Sequence, residues 1–248
     1  MTITLMYLWP LDARSQFLNC ALKWTSSYLA HPSEVPHEVL ICMSNGSATA
    51  EDEAIFSDIP HRTCGYAGGG WDIGSYQSVA QECDSDMVVF SNTRTNFWKN
   101  DWLLPFVNAF ERFGPKGLYG ATASYERCPI NMDIFPNPHI RTACFATSPN
   151  QFRKFPYIVD SREKGFRFES GDWNFCDWYA DHGWPVKMVA ADGQCYDRPQ
   201  WRRPDNIFRR GNQSNVLVRD RHTDAYDAAS PDEKNQLDAT AGLSTIRL

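Results

Sequence analysis

What most constrains this chain is the alternation, through its first half, of short unbroken apolar runs with segments of helical period. Ile3 to Trp9 is β-rich and ends at Pro10. Val39-Leu40-Ile41-Cys42-Met43 turns at Ser44-Asn45-Gly46, and Met87-Val88-Val89-Phe90 runs into Ser91-Asn92-Thr93-Arg94. Apolar on every position, such runs suit strands buried on both faces. A weaker strand over 62–66 meets Gly68-Gly69-Gly70. Between the strands, Phe17, Leu18, Ala21, Leu22, Trp24, Tyr28 and Leu29 recur at helical spacing, 50–55 reads as a short acidic helix, and a helix follows Trp71-Asp72-Ile73-Gly74 as far as Glu82. Four strands joined by helices predict an α/β fold, a mostly parallel central sheet with helices on both faces and right-handed crossovers.

The second half is less regular. The pattern predicts a helix over 101–113 stopped by Gly114-Pro115, strands at 118–120, 140–145, 186–190 and 216–218, and an amphipathic helix over 171–182 ended by Gly183. Arg198, Arg202, Arg203, Arg209 and Arg210 crowd one stretch. No repeat or shift in composition divides the chain, so one domain is expected over 1–230, followed by a polar, loosely held tail over 231–248.

A hydrophobic fraction of 42% with 22% charged residues excludes disorder as the main state. The net charge of -6 argues against a nucleic-acid partner, whose phosphates call for an excess of Lys and Arg. No apolar run is long enough to cross a bilayer, which leaves peripheral contact with a membrane open, and the N-terminus lacks a basic-then-apolar export signal. A cytoplasmic setting is therefore expected, with the eight cysteines as buried thiols and the sequons at Asn45 and Asn212 without meaning. The cysteines form no C-x-x-C pair and the six histidines no metal spacing, so the sequence predicts no protein-held metal cluster.

In open α/β sheets ligands bind beyond the carboxyl ends of the strands. That rule selects four loops: Trp9-Pro10, Ser44-Asn45-Gly46-Ser47, Gly68 to Gly74, and Ser91-Asn92-Thr93-Arg94. Familiar nucleotide and hydrolase signatures are missing. The glycines lack G-x-G-x-x-G order and follow the third strand, and neither G-x-x-x-x-G-K-[ST] nor G-x-S-x-G occurs. The triple glycine can equally be a plain turn.

Taken in order, three of these segments resemble glycosyltransferases of the GT-A fold, family 2 type. Val39 to Ser47 is similar to their "V-D-N-G-S" strand end. Gly70-Trp71-Asp72-Ile73-Gly74 followed by Met87 to Arg94 is similar to the stretch leading to their D-x-D motif, and closer still to rhamnan-synthesis and capsule-type members with a "G-x-D-I-G" motif. Phe168-Glu169-Ser170-Gly171-Asp172-Trp173 resembles the segment that supplies the base in inverting members. The likeness spans residues 2–195.

The resemblance implies transfer of a sugar from a UDP-, GDP- or dTDP-linked donor to a glycan or glycoprotein acceptor, with inversion, as in polysaccharide biosynthesis. Residues 1–98 would form the donor half and 99–230 the acceptor half. By position, Trp9 and Pro10 would flank the base, Ser44 and Asn45 meet the nucleoside, and Gly70 and Asp72 hold ribose or base. Asn92, Thr93 and Arg94 stand where the D-x-D aspartates would hold Mn²⁺ or Mg²⁺, so the metal requirement is open. A guanidinium cannot ligate a cation but pairs with a diphosphate, so Arg94, aided by Arg209 or Arg210, would take over part of the metal's work; alternatively Arg94 is an ordinary surface arginine. Asp172, or failing it Glu169, would be the base, both lying at one helix N-terminus, where a capping pair is the competing reading. His139, in Pro138-His139-Ile140-Arg141-Thr142, and Trp173 would face the acceptor, unless they are structural. The second reading is a catalytically inactive nucleotide- or carbohydrate-binding protein that keeps the pocket without the D-x-D aspartates.

Overall fold

The computed structural model describes residues 1–202 and 205–240. The expected arginine at 203 and the last part of the expected tail, 241–248, lie outside the described residues. The chain runs β1 (Ile3–Pro10), α1 (Arg14–Ala30), β2 (Glu38–Ser44), α2 (Ala50–Ile55), β3 (His61–Tyr66), α3 (Trp71–Glu82) and β4 (Met87–Ser91). Then follow α4 (Leu104–Phe113), β5 (Leu118–Gly120), β6 (Ala123–Ser124), β7 (His139–Ile140), β8 (Cys144–Thr147), α5 (Pro149–Phe152), α6 (Arg162–Ser170) and α7 (Phe175–Asp181). The order ends with β9 (Val186–Val189), β10 (Cys195–Asp197), α8 (Arg221–Ala228) and α9 (Pro231–Thr240).

One eight-stranded sheet runs in the order β10-β9-β5-β8-β4-β1-β2-β3, and β6 with β7 forms a separate pair. β3, β2, β1 and β4 are parallel neighbours, β5 and β9 pair in parallel, and β8 and β10 run antiparallel to their neighbours. The fold is therefore α/β with a mostly parallel sheet, as the alternation of runs predicts. Successive side chains of each strand point to opposite faces. On one face Leu5, Tyr7, Ile41 and Val89 meet Trp24 of α1 and Phe106 of α4. On the other, Met6, Leu8, Cys42, Val88 and Phe90 meet Tyr76 of α3, Phe168 of α6 and Phe175 of α7. Helices thus cover both faces, which is why the central runs carry no polar alternation.

Several expectations are corrected. The run over 140–145 is not one strand: it spans the end of β7 and the start of β8, with Arg141-Thr142-Ala143 between them. Val216, Leu217 and Val218 are buried but form no strand, and only Arg219 beside them bridges to Asn96. The helix placed over 171–182 begins at Phe175, because the Asn174 side chain accepts from the N–H groups of Cys176 and Asp177 and so sets its start. Residues 231–240 of the expected loose tail form α9. All eight cysteines carry free thiols. Among the described residues no helix is long and apolar enough to cross a membrane.

Candidate active site

The parallel strands β1 to β4 end on one edge of the sheet, but the four loops there have different fates. The first two pack shut. Trp9 is 1% exposed; its indole N–H donates to Asp52 Oδ1 at 2.9 Å, and its ring meets Phe56 edge-on. Asp52 also accepts from the Arg14 guanidinium and from the backbone N–H and hydroxyl of Thr49, and these donors hold its carboxyl far below the usual range. Arg14 donates on to the Ser47 carbonyl at 2.6 Å. Pro10 is half-buried at the end of β1, and Ser44 is buried at the end of β2. Asn45 adopts a left-handed φ of 56° and ties two loops together: its N–H donates to the Tyr66 carbonyl and its Oδ1 accepts from Gly68 N–H. None of Trp9, Pro10, Ser44 and Asn45 lines the pocket that the other loops form, and Trp9 belongs to the core.

The other two loops open into a pocket of about 220 Å³. Gly70, Trp71 and Asp72 enter it from the start of α3, Asn92 and Arg94 from the turn after β4, and Arg141 and Thr142 from the β7–β8 connection. α6 contributes Arg162, Gly165, Phe166 and Glu169, which share one helix face at spacings of three and four residues. Asp220, Arg221 and His222 close the pocket from the start of α8.

Hydrogen bonds fix this frame. Asn92 Oδ1 accepts from Arg94 N–H at 3.0 Å and from the Thr95 hydroxyl at 3.2 Å, while Asn92 N–H donates to the Ala143 carbonyl at 2.9 Å. The turn after β4 is thereby locked to the β7–β8 connection. Thr142 donates its N–H and its hydroxyl to Glu169 Oε1, at 2.7 and 2.9 Å. Gly70 is required by close approach: a Cβ there would sit 1.9 Å from the Val159 carbonyl oxygen. Thr93 points inward, its hydroxyl donating to the Leu8 carbonyl, and is part of the frame rather than the lining.

The charges are unevenly matched. Arg141 is buried and pairs with Asp220 at 3.0 Å. Arg94 lies over the Phe17 ring at 4.6 Å and has no carboxylate within ion-pair distance among the described residues. Arg221 is held below the usual guanidinium range by burial and by the positive charge of Arg94. In the same pocket, burial together with the charge of Glu169 pushes the Asp72 carboxyl up to about 6, against opposing pulls from Asn92 and Arg94. Burial and Arg141 press His222 down to about 4, so its ring is neutral at pH 7; Arg209 and Arg221 flank its two nitrogens at 3.0 and 3.2 Å. The pocket therefore brings the arginines Arg94, Arg141, Arg162 and Arg221 together with the carboxylates of Asp72, Glu169 and Asp220.

Of the expected site residues, the structure gathers Gly70, Asp72, Asn92, Arg94 and Glu169 in one pocket. Glu169 is not at a helix N-terminus but in the last turn of α6. Asp172 lies beyond that helix, exposed, accepting from the Asn131 side chain at 2.7 Å and outside the pocket. The two carboxylates therefore do not share a rim. Arg209 is buried and paired with Glu126, reaching the pocket only through His222, and Arg210 pairs with Asp205 away from it. His139 is buried, with Nδ1 on the Asn137 carbonyl, and burial lowers its pKa. Trp173 is exposed beside Phe155, its N–H donated to Asp181. Arg141, Arg162, Arg221 and His222 escaped the reading of the sequence. Only the spacing of Arg162, Phe166 and Glu169 on one helical face was a usable signal.

No family model matches this sequence, and no curated protein matches it. Solved structures of similar shape include the apo form of mouse xyloside xylosyltransferase 1, at 9% identity and a TM-score of 0.48, covering 77% of this chain and 86% of that one. HddC from Yersinia pseudotuberculosis follows at 11% identity and a TM-score of 0.42, covering 66% and 84%. The mannosyltransferase PcManGT from Pyrobaculum calidifontis, in complex with GDP-Man and Mn²⁺, gives 11% identity and a TM-score of 0.46, covering 79% of this chain and 56% of that one.

Proposed function

We propose that this protein is a glycosyltransferase that moves a sugar, with inversion, from a nucleotide-diphosphate-sugar to a glycan or glycoprotein acceptor. One observation carries the reading: a pocket at the carboxyl edge of the parallel strands gathers Arg94, Arg141 and Arg221 with Asp72 and Glu169. Guanidinium groups suit a diphosphate by charge and by paired hydrogen bonds. As the bond between the sugar's anomeric carbon and the diphosphate breaks, negative charge grows on the leaving group, and fixed cations stabilise it without reorganising. Glu169 takes the proton of the acceptor hydroxyl as that oxygen attacks the anomeric carbon. Thr142 holds one of its oxygens and leaves the carboxylate oriented for the transfer.

The D-x-D place does not fit a divalent cation. The Oδ1 of Asn92 is taken by Arg94 N–H and Thr95, position 94 is a guanidinium, and among the described residues no group of three or more His, Cys, Asp or Glu side chains could hold a metal. The proposed chemistry therefore runs through arginines. The same substitution at the D-x-D place favours a second reading, a non-catalytic protein that binds a nucleotide or carbohydrate. Incubation with UDP-, GDP- and dTDP-sugars, with and without glycan acceptors and with EDTA present, separates them. Release of nucleoside diphosphate that depends on Glu169 is expected; binding without turnover supports the second reading, and turnover abolished by EDTA contradicts the role given to the arginines.

A further inference from the structure

The face on which the nucleotide's base would lie is not the expected one. Trp9, placed there by sequence position, is sealed in the core. Trp71, 57% exposed, is the one large apolar side chain among the pocket-lining residues that stands open to solvent. It sits at the first position of α3 with φ of 51°, a left-handed conformation that a bulky side chain rarely adopts, held there by the close packing of Gly70 before it and Gly74 after it. A large apolar ring kept in water at a strained backbone position contributes nothing to the core, and strain of this kind is kept where it serves a site.

The ring already receives a planar group. The Arg162 guanidinium lies 4.9 Å from the centroid of Trp71 and 5.3 Å from that of Phe166 on the same helix face. We infer that Trp71 is the stacking platform for the nucleobase of the bound nucleotide, with Arg162 and Phe166 completing the slot. The inference rests on the nucleotide-sugar reading and adds the group that holds the base. The arginines that line the recess of about 220 Å³ suit a diphosphate, and a flat base attached to that diphosphate would then lie at the rim beside Trp71. A free pyranose could also cover an aromatic ring, but it brings no charge to the arginines behind it.

The test is calorimetric binding of UDP, GDP, dTDP and inorganic pyrophosphate to the wild type, Trp71→Ala and Trp71→Phe, with tryptophan fluorescence followed in parallel. Because Trp71 is exposed, both variants are expected to fold. The expected result is about tenfold or greater loss of nucleoside diphosphate affinity in Trp71→Ala, substantial recovery in Trp71→Phe, and unchanged pyrophosphate binding. Nucleotide should quench fluorescence in the wild type, and Trp71→Phe should lose that quenching. Equal nucleotide affinity in wild type and Trp71→Ala overturns the platform and leaves the function intact, as does a parallel loss of pyrophosphate binding, which would mark a role in holding the loop. Quenching by a free methyl glycoside but not by nucleotides also overturns it. A wild type that binds none of the three nucleotides overturns both.

Discussion

At the scale of single residues, the pocket separates two carboxylates that the sequence sets three apart. Glu169 faces the arginines and is held by Thr142, whereas Asp172 is in solvent beside Asn131. Glu169→Gln keeps the shape but cannot accept the proton, so kcat for sugar transfer should fall by about 10²–10⁴. Asp172→Asn should turn over like the wild type; the reverse ranking in steady-state rates would move the base to Asp172. Asp72 gives a second prediction, on stability. Its carboxyl titrates at about 6 in the fold, pushed up by burial and by Glu169, against about 4 in an unfolded chain. The raised value means that the folded state binds the proton more tightly. The stabilisation is complete below about pH 4 and is lost as pH rises through about 6. Asp72→Asn removes the cost of a half-buried charge beside Glu169 and should be more stable than the wild type at pH 8, by at most about 1–3 kcal/mol before solvent screening reduces it. Denaturation midpoints between pH 4 and 8 check this: the gap should close towards pH 4, and a constant gap would contradict it.

At the scale of elements, the junction of β3 and α3 decides whether the pocket exists. Gly70 lets the start of α3 pass under the backbone at Val159, and Gln77 of the same helix clamps that backbone, donating to the Tyr157 carbonyl at 2.9 Å and accepting from Val159 N–H at 2.8 Å. Gly70→Ala forces a Cβ against a carbonyl oxygen. It should cost about 1–3 kcal/mol, as overpacking does, and weaken nucleotide binding as Trp71 and Asp72 shift; thermal unfolding with a nucleotide titration would show both, and an unchanged variant would refute the close approach. The elements that the sequence made legible are those with a strong local signal. Val39 to Met43 and Met87 to Phe90 read as strands buried on two faces, and 50–55 as a short acidic helix, which the structure starts with a Thr49–Asp52 capping box. What stayed illegible depended on tertiary partners. α6 is too polar to announce itself, since only Phe168 and Ser170 of its nine residues are buried. Asn174 sets the start of α7 through its side chain, and this decides that Glu169 closes one helix instead of opening another. Trp9 and Trp71 look alike as tryptophans near strand ends; only the Asp52 acceptor and Phe56 packing that bury one, and the glycine junction that exposes the other, tell them apart.

At the scale of the whole molecule, one sheet runs through both halves of the chain, and its carboxyl edge brings together residues as distant in sequence as Asp72 and Arg221. The Arg14–Asp52 cluster ties down the loops after β1 and β2, in the middle of the parallel strands, while the loops after β3 and β4 on either side of them open into the pocket. Its removal should act on stability alone: Asp52→Ala strands the buried indole N–H of Trp9, a loss of about 1–3 kcal/mol visible in chemical denaturation, with nucleotide affinity unchanged. A fall in affinity instead would place the ligand on the loops after β1 and β2. The central claim is that the pocket's arginines grip a nucleoside diphosphate without a metal. The direct measurement is thermal stabilisation by UDP, GDP and dTDP in EDTA, comparing the wild type with an Arg94→Ala, Arg221→Ala double variant. At a hundredfold the dissociation constant, one of these nucleotides should stabilise the wild type by about 2.7 kcal/mol, and the double variant should lose that shift while its ligand-free midpoint stays close to the wild type's. Stabilisation that appears only with Mn²⁺, or that survives loss of both guanidinium groups, would contradict the account.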